Sequence, residues 1–255
     1  MIFDATADPI DPEDRRRVTI PYSGGNFEAW VSEQNGGSSN RIFAIKFPGT
    51  GGRAERSGPH PCEIFSHDNF EVWTVNPPGY GGSDGRPSLK NMVETCQASW
   101  NAFFQAAGDQ LKIAVGNSLG CMSALYVAAN YPIDGLFIRN PVPLREYIVG
   151  RYGWWNFGLG ARLVANLVPE PMDAIANAKR SQAPAFSISS EMDTLIPPAY
   201  QQLIFDAYLG DSTTFVAKGI DHHHPIPDFQ LDDYADGVAR FFDQVRNYKR
   251  DRSAN

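Results

Sequence analysis

The chain has 255 residues, 42% of them hydrophobic and 12% aromatic, enough apolar material for one large globular core and too much for a disordered or fibrous protein. Twenty-nine acidic residues against 22 basic ones leave a net charge of -7, which speaks against nucleic acid as a partner. No stretch reaches the roughly 20 apolar residues of a membrane span, and the start MIFDATADPIDPEDRRR lacks the basic head and apolar core of a secretory signal, so a soluble, cytoplasmic protein is expected.

Taken in chain order, the first two β-type runs, RRRVTIPYSGG and FEAWVSEQN, lie close enough to pair as an antiparallel hairpin. Alternation of strand and helix follows. RIFAIKFPG (41–49) is a continuous apolar run, as in a strand covered on both faces. FEVWTVNPPG (70–79) is another, and the segment between them leaves room for a short helix. Leu89, Met92, Val93, Cys96, Trp100, Phe103, Phe104 and Ala107 recur at steps of three and four, one apolar stripe of a helix opened by Ser88 as N-cap. LKIAVGNS (111–118) is the next strand and LGCMSALYVAANYP its helix. GLFIRNP (135–141), PAFSISSEMD (184–193) and STTFVAKG (212–219) complete the strands, with helices expected at about 198–208 and about 231–248. The pattern predicts an α/β fold, a mostly parallel sheet of about eight strands with helices on both faces. A single domain over 1–255 is expected, with a lid-like insertion at about 141–183. Cys62, Cys96 and Cys121 are widely spaced, with no CxxC pair, and read as buried reduced thiols.

In such a sheet ligands bind at the carboxyl ends of strands, and four of these ends carry chemistry. Ser118 sits in G-N-S-L-G between a strand and a helix. Glycines at 116 and 120 suit a turn so tight that side chains there would strike the neighbouring strand and helix; a simple capping serine is the alternative. A serine hydroxyl needs a base to become a nucleophile. Asp193, in SSEMDTLIPP, can orient a histidine, with Glu191 as the competing acid and a turn-forming aspartate as the plain alternative. His222, His223 and His224 follow one another in KGIDHHHPIPD. Successive residues of an extended chain point in alternating directions, which disfavours a shared metal, and one imidazole acting as general base is the preferred reading. FPGTGG (47–52) offers backbone N–H groups after a strand and lacks the phosphate-loop patterns.

Together, from about residue 15 to residue 248, these features resemble the α/β-hydrolase fold superfamily. The order Ser118, Asp193, His222 is the superfamily's order. NPPGYGGSDGRPS is similar to its D-x-x-G-x-G-x-S turn, with Asn76 where aspartate is common. MDTLIPP is similar to the acid loop D-x-x-(V/I)-P, and KGIDHHHP to the G-x-x-H loop, which puts the base on His222 with His223 as runner-up. The usual His-Gly before the oxyanion residue is replaced by Phe47-Pro48-Gly49. The resemblance implies a serine hydrolase acting on an ester, thioester or amide of a small-molecule acyl substrate. Ser118 is then the nucleophile, His222 the base, Asp193 its partner, and the N–H groups of Thr50 and Leu119 the oxyanion hole. No cofactor or metal is implied. Acyl transfer, peracid formation or carbon–carbon cleavage on the same triad, or a non-catalytic ligand-binding role, are the alternatives. Tyr147, Tyr152, Trp154, Trp155 and Phe157 form either an apolar wall of the site or the packing of a lid helix.

Overall fold

A computed structural model describes residues 14–34, 41–64, 69–153 and 159–254. Eight strands form one sheet in the order β1-β2-β4-β3-β5-β6-β7-β8. They are β1 (Arg16–Tyr22), β2 (Gly25–Gln34), β3 (Arg41–Phe47), β4 (Asn69–Asn76), β5 (Leu111–Asn117), β6 (Gly135–Arg139), β7 (Ala185–Ser190) and β8 (Ser212–Ala217). β1 and β2 form the expected hairpin, β2 also runs antiparallel to β4, and the remaining pairings are parallel.

The helices are α1 (Leu89–Ala107), α2 (Gly120–Asn130), α3 (Leu144–Tyr152), α4 (Leu159–Ala165), α5 (Ala174–Ala178), α6 (Pro198–Ala207) and α7 (Leu231–Ser253). α1 begins as its sequence dictates, with the Ser88 side chain accepting the Lys90 N–H. Alternate residues of the central strands feed two cores. Phe43, Ile45 and Phe47 of β3 pack in the core that α1, α2, α5 and α6 cover, while Ile42 and Ala44 pack in the one closed by α7. Coverage of both faces is why β3 and β4 read as continuous apolar runs. The three cysteines are free and buried, as expected.

Three expectations are corrected. Between β3 and β4 the described residues form two short 3-10 turns, Ala54–Arg56 and Cys62–Ile64, in place of a helix; prolines at 59 and 61 break the run. β6 stops at Arg139 and β7 at Ser190, so Asp193 stands in a turn beyond its strand. α7 runs on to Ser253, because its basic end is docked: Arg252 pairs with Asp134 at 2.6 Å and Lys249 with the same carboxylate at 3.6 Å. Among the described residues no helix is long and apolar enough to cross a membrane.

Candidate active site

β5 delivers Ser118 into a turn where it takes φ 51°, the left-handed region that costs a non-glycine residue about 1–3 kcal/mol. Surrounding bonds hold it there. Ser118 N–H donates to the Arg139 carbonyl at 2.8 Å, and the Ser118 carbonyl accepts Cys121 N–H at 3.0 Å as α2 begins. The two flanking glycines are explained by contact. A Cβ on Gly120 would lie 2.1 Å from the Phe47 carbonyl oxygen, and one on Gly116 would lie 2.7 Å from Cys121 Cα. The strand and helix thus close on the turn as the glycine spacing predicts.

Asp193 is buried, and all of its accepting capacity is engaged. Oδ1 accepts the N–H groups of Leu195 (3.0 Å) and Ile196 (2.7 Å), and Oδ2 accepts Gln201 Nε2 (3.0 Å). The fourth bond, 2.6 Å, joins Oδ2 to Nδ1 of His222, which is itself only 8% exposed. A carboxylate only accepts, so Nδ1 carries the proton and Nε2 is left with its lone pair. The competing acid, Glu191, is exposed and accepts Gly219 N–H at 2.8 Å. His223 meets the His222 ring edge to face at 4.8 Å, and the His224 carbonyl accepts a hydrogen bond from Arg139.

The two loops are fastened by residues that motif matching overlooked. Asp221 accepts the backbone N–H groups of His222 (2.7 Å) and Thr194 (2.9 Å), which hold its carboxyl below the usual carboxylate range. Asn140, buried and at φ 48°, donates to the His222 carbonyl at 3.1 Å and to Ser190 Oγ at 3.0 Å. Asparagine's tolerance of the left-handed region was the one local signal available for Asn140. Gln201 had none.

Ser118, His222 and His223 line one cleft with residues 49–52, Asn117, Arg139, Asn140 and Leu195. Among the described residues no hydrogen bond joins Ser118 Oγ to His222; such bonds are often long before substrate arrives. The N–H groups of Thr50 and Leu119 flank this cleft and have no hydrogen-bond partner among the described residues. Tyr80 Oη donates to the Thr50 carbonyl at 3.1 Å and so fixes the loop from behind. Beyond Thr50 and Leu119 lies a cavity of about 230 Å³ walled by Val75, Pro78, Tyr80, Leu89 and Met92.

Asn76 is fully buried between Glu28 and Glu55, donating to both at 2.8 and 2.7 Å and accepting Ala54 N–H at 2.8 Å. An aspartate there would be a third carboxylate in the cluster, which accounts for the departure from the common motif. Of the aromatic residues, Tyr147 donates to the Leu195 carbonyl at 2.9 Å and packs on Tyr200, a packing role, and Tyr152 is 59% exposed. Trp154, Trp155 and Phe157 lie outside the described residues.

This sheet order, with a strained serine after β5 and an aspartate–histidine pair after β7 and β8, defines the α/β-hydrolase fold. A family profile described as "alpha/beta hydrolase fold" matches residues 48–155. The chain has the α/β-hydrolase fold, and the profile matches it from the loop after β3 to the end of α3. An uncharacterized protein of Mycobacterium tuberculosis (strain H37Rv) is 25% identical over 225 residues, 86% of this chain and 76% of that one. Among solved structures, the Pyrococcus furiosus esterase Pf2001 superposes with a TM-score of 0.67 at 14% identity, covering 95% of this chain and 97% of the esterase. An acylaminoacyl peptidase in complex with Z-Gly-Gly-Phe-chloromethyl ketone gives a TM-score of 0.68 at 14% identity over 90% of this chain and 41% of the peptidase.

Proposed function

We propose that this protein is a serine hydrolase that cleaves an ester, thioester or amide through an acyl-enzyme on Ser118. The observation that carries the reading is the conjunction of a strained Ser118 and a buried 2.6 Å Asp193–His222 pair on one cleft. Left-handed strain is retained in folded proteins chiefly where a site needs it. Asp193 fixes the tautomer of His222, whose Nε2 takes the Ser118 proton as Oγ adds to the carbonyl carbon. The N–H groups of Leu119 and Thr50 receive the oxyanion. On collapse, the leaving group takes the proton from His222; water, deprotonated by the same nitrogen, then releases the acid and restores Ser118. The neighbouring cavity suits an apolar group of the substrate: it exceeds the roughly 150 Å³ that accommodates benzene.

The test is labelling of the purified protein with a neutral fluorophosphonate, with the modified peptide identified by mass spectrometry. Modification at Ser118 that vanishes in Ser118→Ala is the expected result. A folded protein that stays unlabelled refutes the reading.

A further inference from the structure

The cleft around Ser118 is unusual in charge for this molecule. The chain carries 29 acidic residues against 22 basic ones, yet among the described residues no aspartate or glutamate lines the cleft, and Arg139 does. Arg139 ends β6, and its backbone carbonyl holds the elbow by accepting Ser118 N–H at 2.8 Å. Its side chain is half-buried and makes one hydrogen bond among the described residues, to the His224 carbonyl. A guanidinium has five N–H donors in a planar fork, so most of its capacity is unused. Among the described residues no carboxylate forms an ion pair with it: of the two groups that act on it electrostatically, Tyr234 is a phenol and Asp193 is engaged by His222. Withdrawing a cation from water without an anionic partner is unfavourable, and a single carbonyl is a weak reason to retain arginine there.

We propose that Arg139 is a specificity-determining residue that receives an anionic group of the substrate, a carboxylate or a phosphate, by a forked, charge-assisted contact. The proposal rests on the serine-hydrolase reading and adds the substrate class: acyl compounds with an apolar part for the cavity behind Thr50 and an anion within reach of Arg139. The anion can lie on the acyl side of the scissile bond or on the leaving group, and both place it in the same acid-free cleft.

Two matched pairs of substrates separate these sources. Mono-p-nitrophenyl glutarate against p-nitrophenyl valerate reports an acyl-side carboxylate, and S-acetyl phosphopantetheine against S-acetyl pantetheine reports a leaving-group phosphate. In at least one pair kcat/KM should favour the anionic member by about 10-fold to 100-fold. The ratio should fall towards one in Arg139→Gln and be partly restored in Arg139→Lys. A structural role exerted through the His224 carbonyl would lower both members of a pair and leave the ratio where it was. No preference in either pair, or a preference that survives Arg139→Gln, overturns the assignment.

Protection of Ser118 from the neutral fluorophosphonate gives a readout that needs no variant. Slower labelling of the unaltered protein with glutarate or inorganic phosphate, and not with acetamide, supports the assignment; no slowing by either anion overturns it. Labelling without anion preference refutes Arg139's role alone. Failure of the unaltered protein to label refutes the hydrolase reading, and the assignment with it.

Discussion

Asp193 and the Glu28–Glu55 pair are buried carboxylates, and each is held by hydrogen bonds, but they are neutralised by different partners. Glu28 meets Arg17 at 2.5 Å and Glu55 meets Arg53 at 2.5 Å, with Asn76 donating to both. Burial pushes the Glu55 carboxyl up, but hydrogen bonds from Arg53 and Asn76 outweigh it and hold the group below its ordinary range. Among the described residues Asp193 has no guanidinium in contact: its partners are two backbone N–H groups, an amide and the His222 imidazole. A guanidinium has no lone pair to take a proton, whereas the second nitrogen of an imidazole has one. One cluster therefore fixes loops, tying 54–56 to β2 and β4, and the other, on the reading proposed above, passes a proton.

The comparison breaks most sharply if the mobile proton is removed. His222→Ala should lower kcat on the order of 10⁶-fold, as removal of a triad base does, while His223→Ala should cause a far smaller loss. Steady-state kinetics on one ester decides it, and the reverse pattern would move the base to His223. Asp193→Asn comes next, with an expected fall of about 10⁴-fold in kcat, because an amide in place of the carboxylate favours the wrong tautomer. A fall below tenfold would mean that Asp193 serves the turn alone.

On the other side of the comparison, Asn76→Asp places a third carboxylate against Glu28 and Glu55 and removes the amide that donates to both. Loss of a buried donor to charged groups points to a destabilisation of roughly 2–4 kcal/mol at neutral pH. Urea unfolding measures it. The loss should shrink on acidification, since the new aspartate, crowded by like charge, takes up a proton above the usual carboxylate range. An equally stable variant would show that the cluster tolerates a further charge and that Asn76 is not needed for its balance.

Much of the geometry around Ser118, Asp193 and His222 was legible in the sequence because its parts are local. A strand–Gly–x–Ser–x–Gly–helix succession dictates the elbow at Ser118, and the acid and histidine loops each carry a short pattern at a strand end. What holds those parts together was not legible. Asn140 reaches Ser190 and the His222 carbonyl across 50 and 82 residues of chain, and Gln201 approaches Asp193 only because α6 folds back behind β7. Arg139 read as one more strand residue in GLFIRNP, since its role comes from the cleft that β5 and the loop after β8 build around it. The Glu28–Glu55 cluster was equally hidden: periodicity places Glu28 in a strand, but cannot say that this position faces Asn76.

A third titratable pair sharpens the contrast, because it has no carboxylate at all. The His60 ring lies between Phe137 and Tyr234, with Nε2 2.5 Å from the Tyr234 hydroxyl. Burial, reinforced by the nearby cations Lys46 and Arg139, pushes its pKa down from 6.5 to about 3. The native protein thus keeps this imidazole neutral while the unfolded chain protonates it. As pH falls below 6.5 the unfolded state binds a proton that the native state refuses, so stability is lost at up to about 1.4 kcal/mol per pH unit. A variant that lacks the imidazole isolates the effect from the carboxylates, two of which, Glu63 and Glu146, are themselves pushed up by burial. Urea unfolding of the unaltered protein and of His60→Gln at pH 7, 6 and 5 should give curves that converge on acidification, as the parent loses stability that the variant does not. Parallel curves would mean that His60 protonates in the native fold.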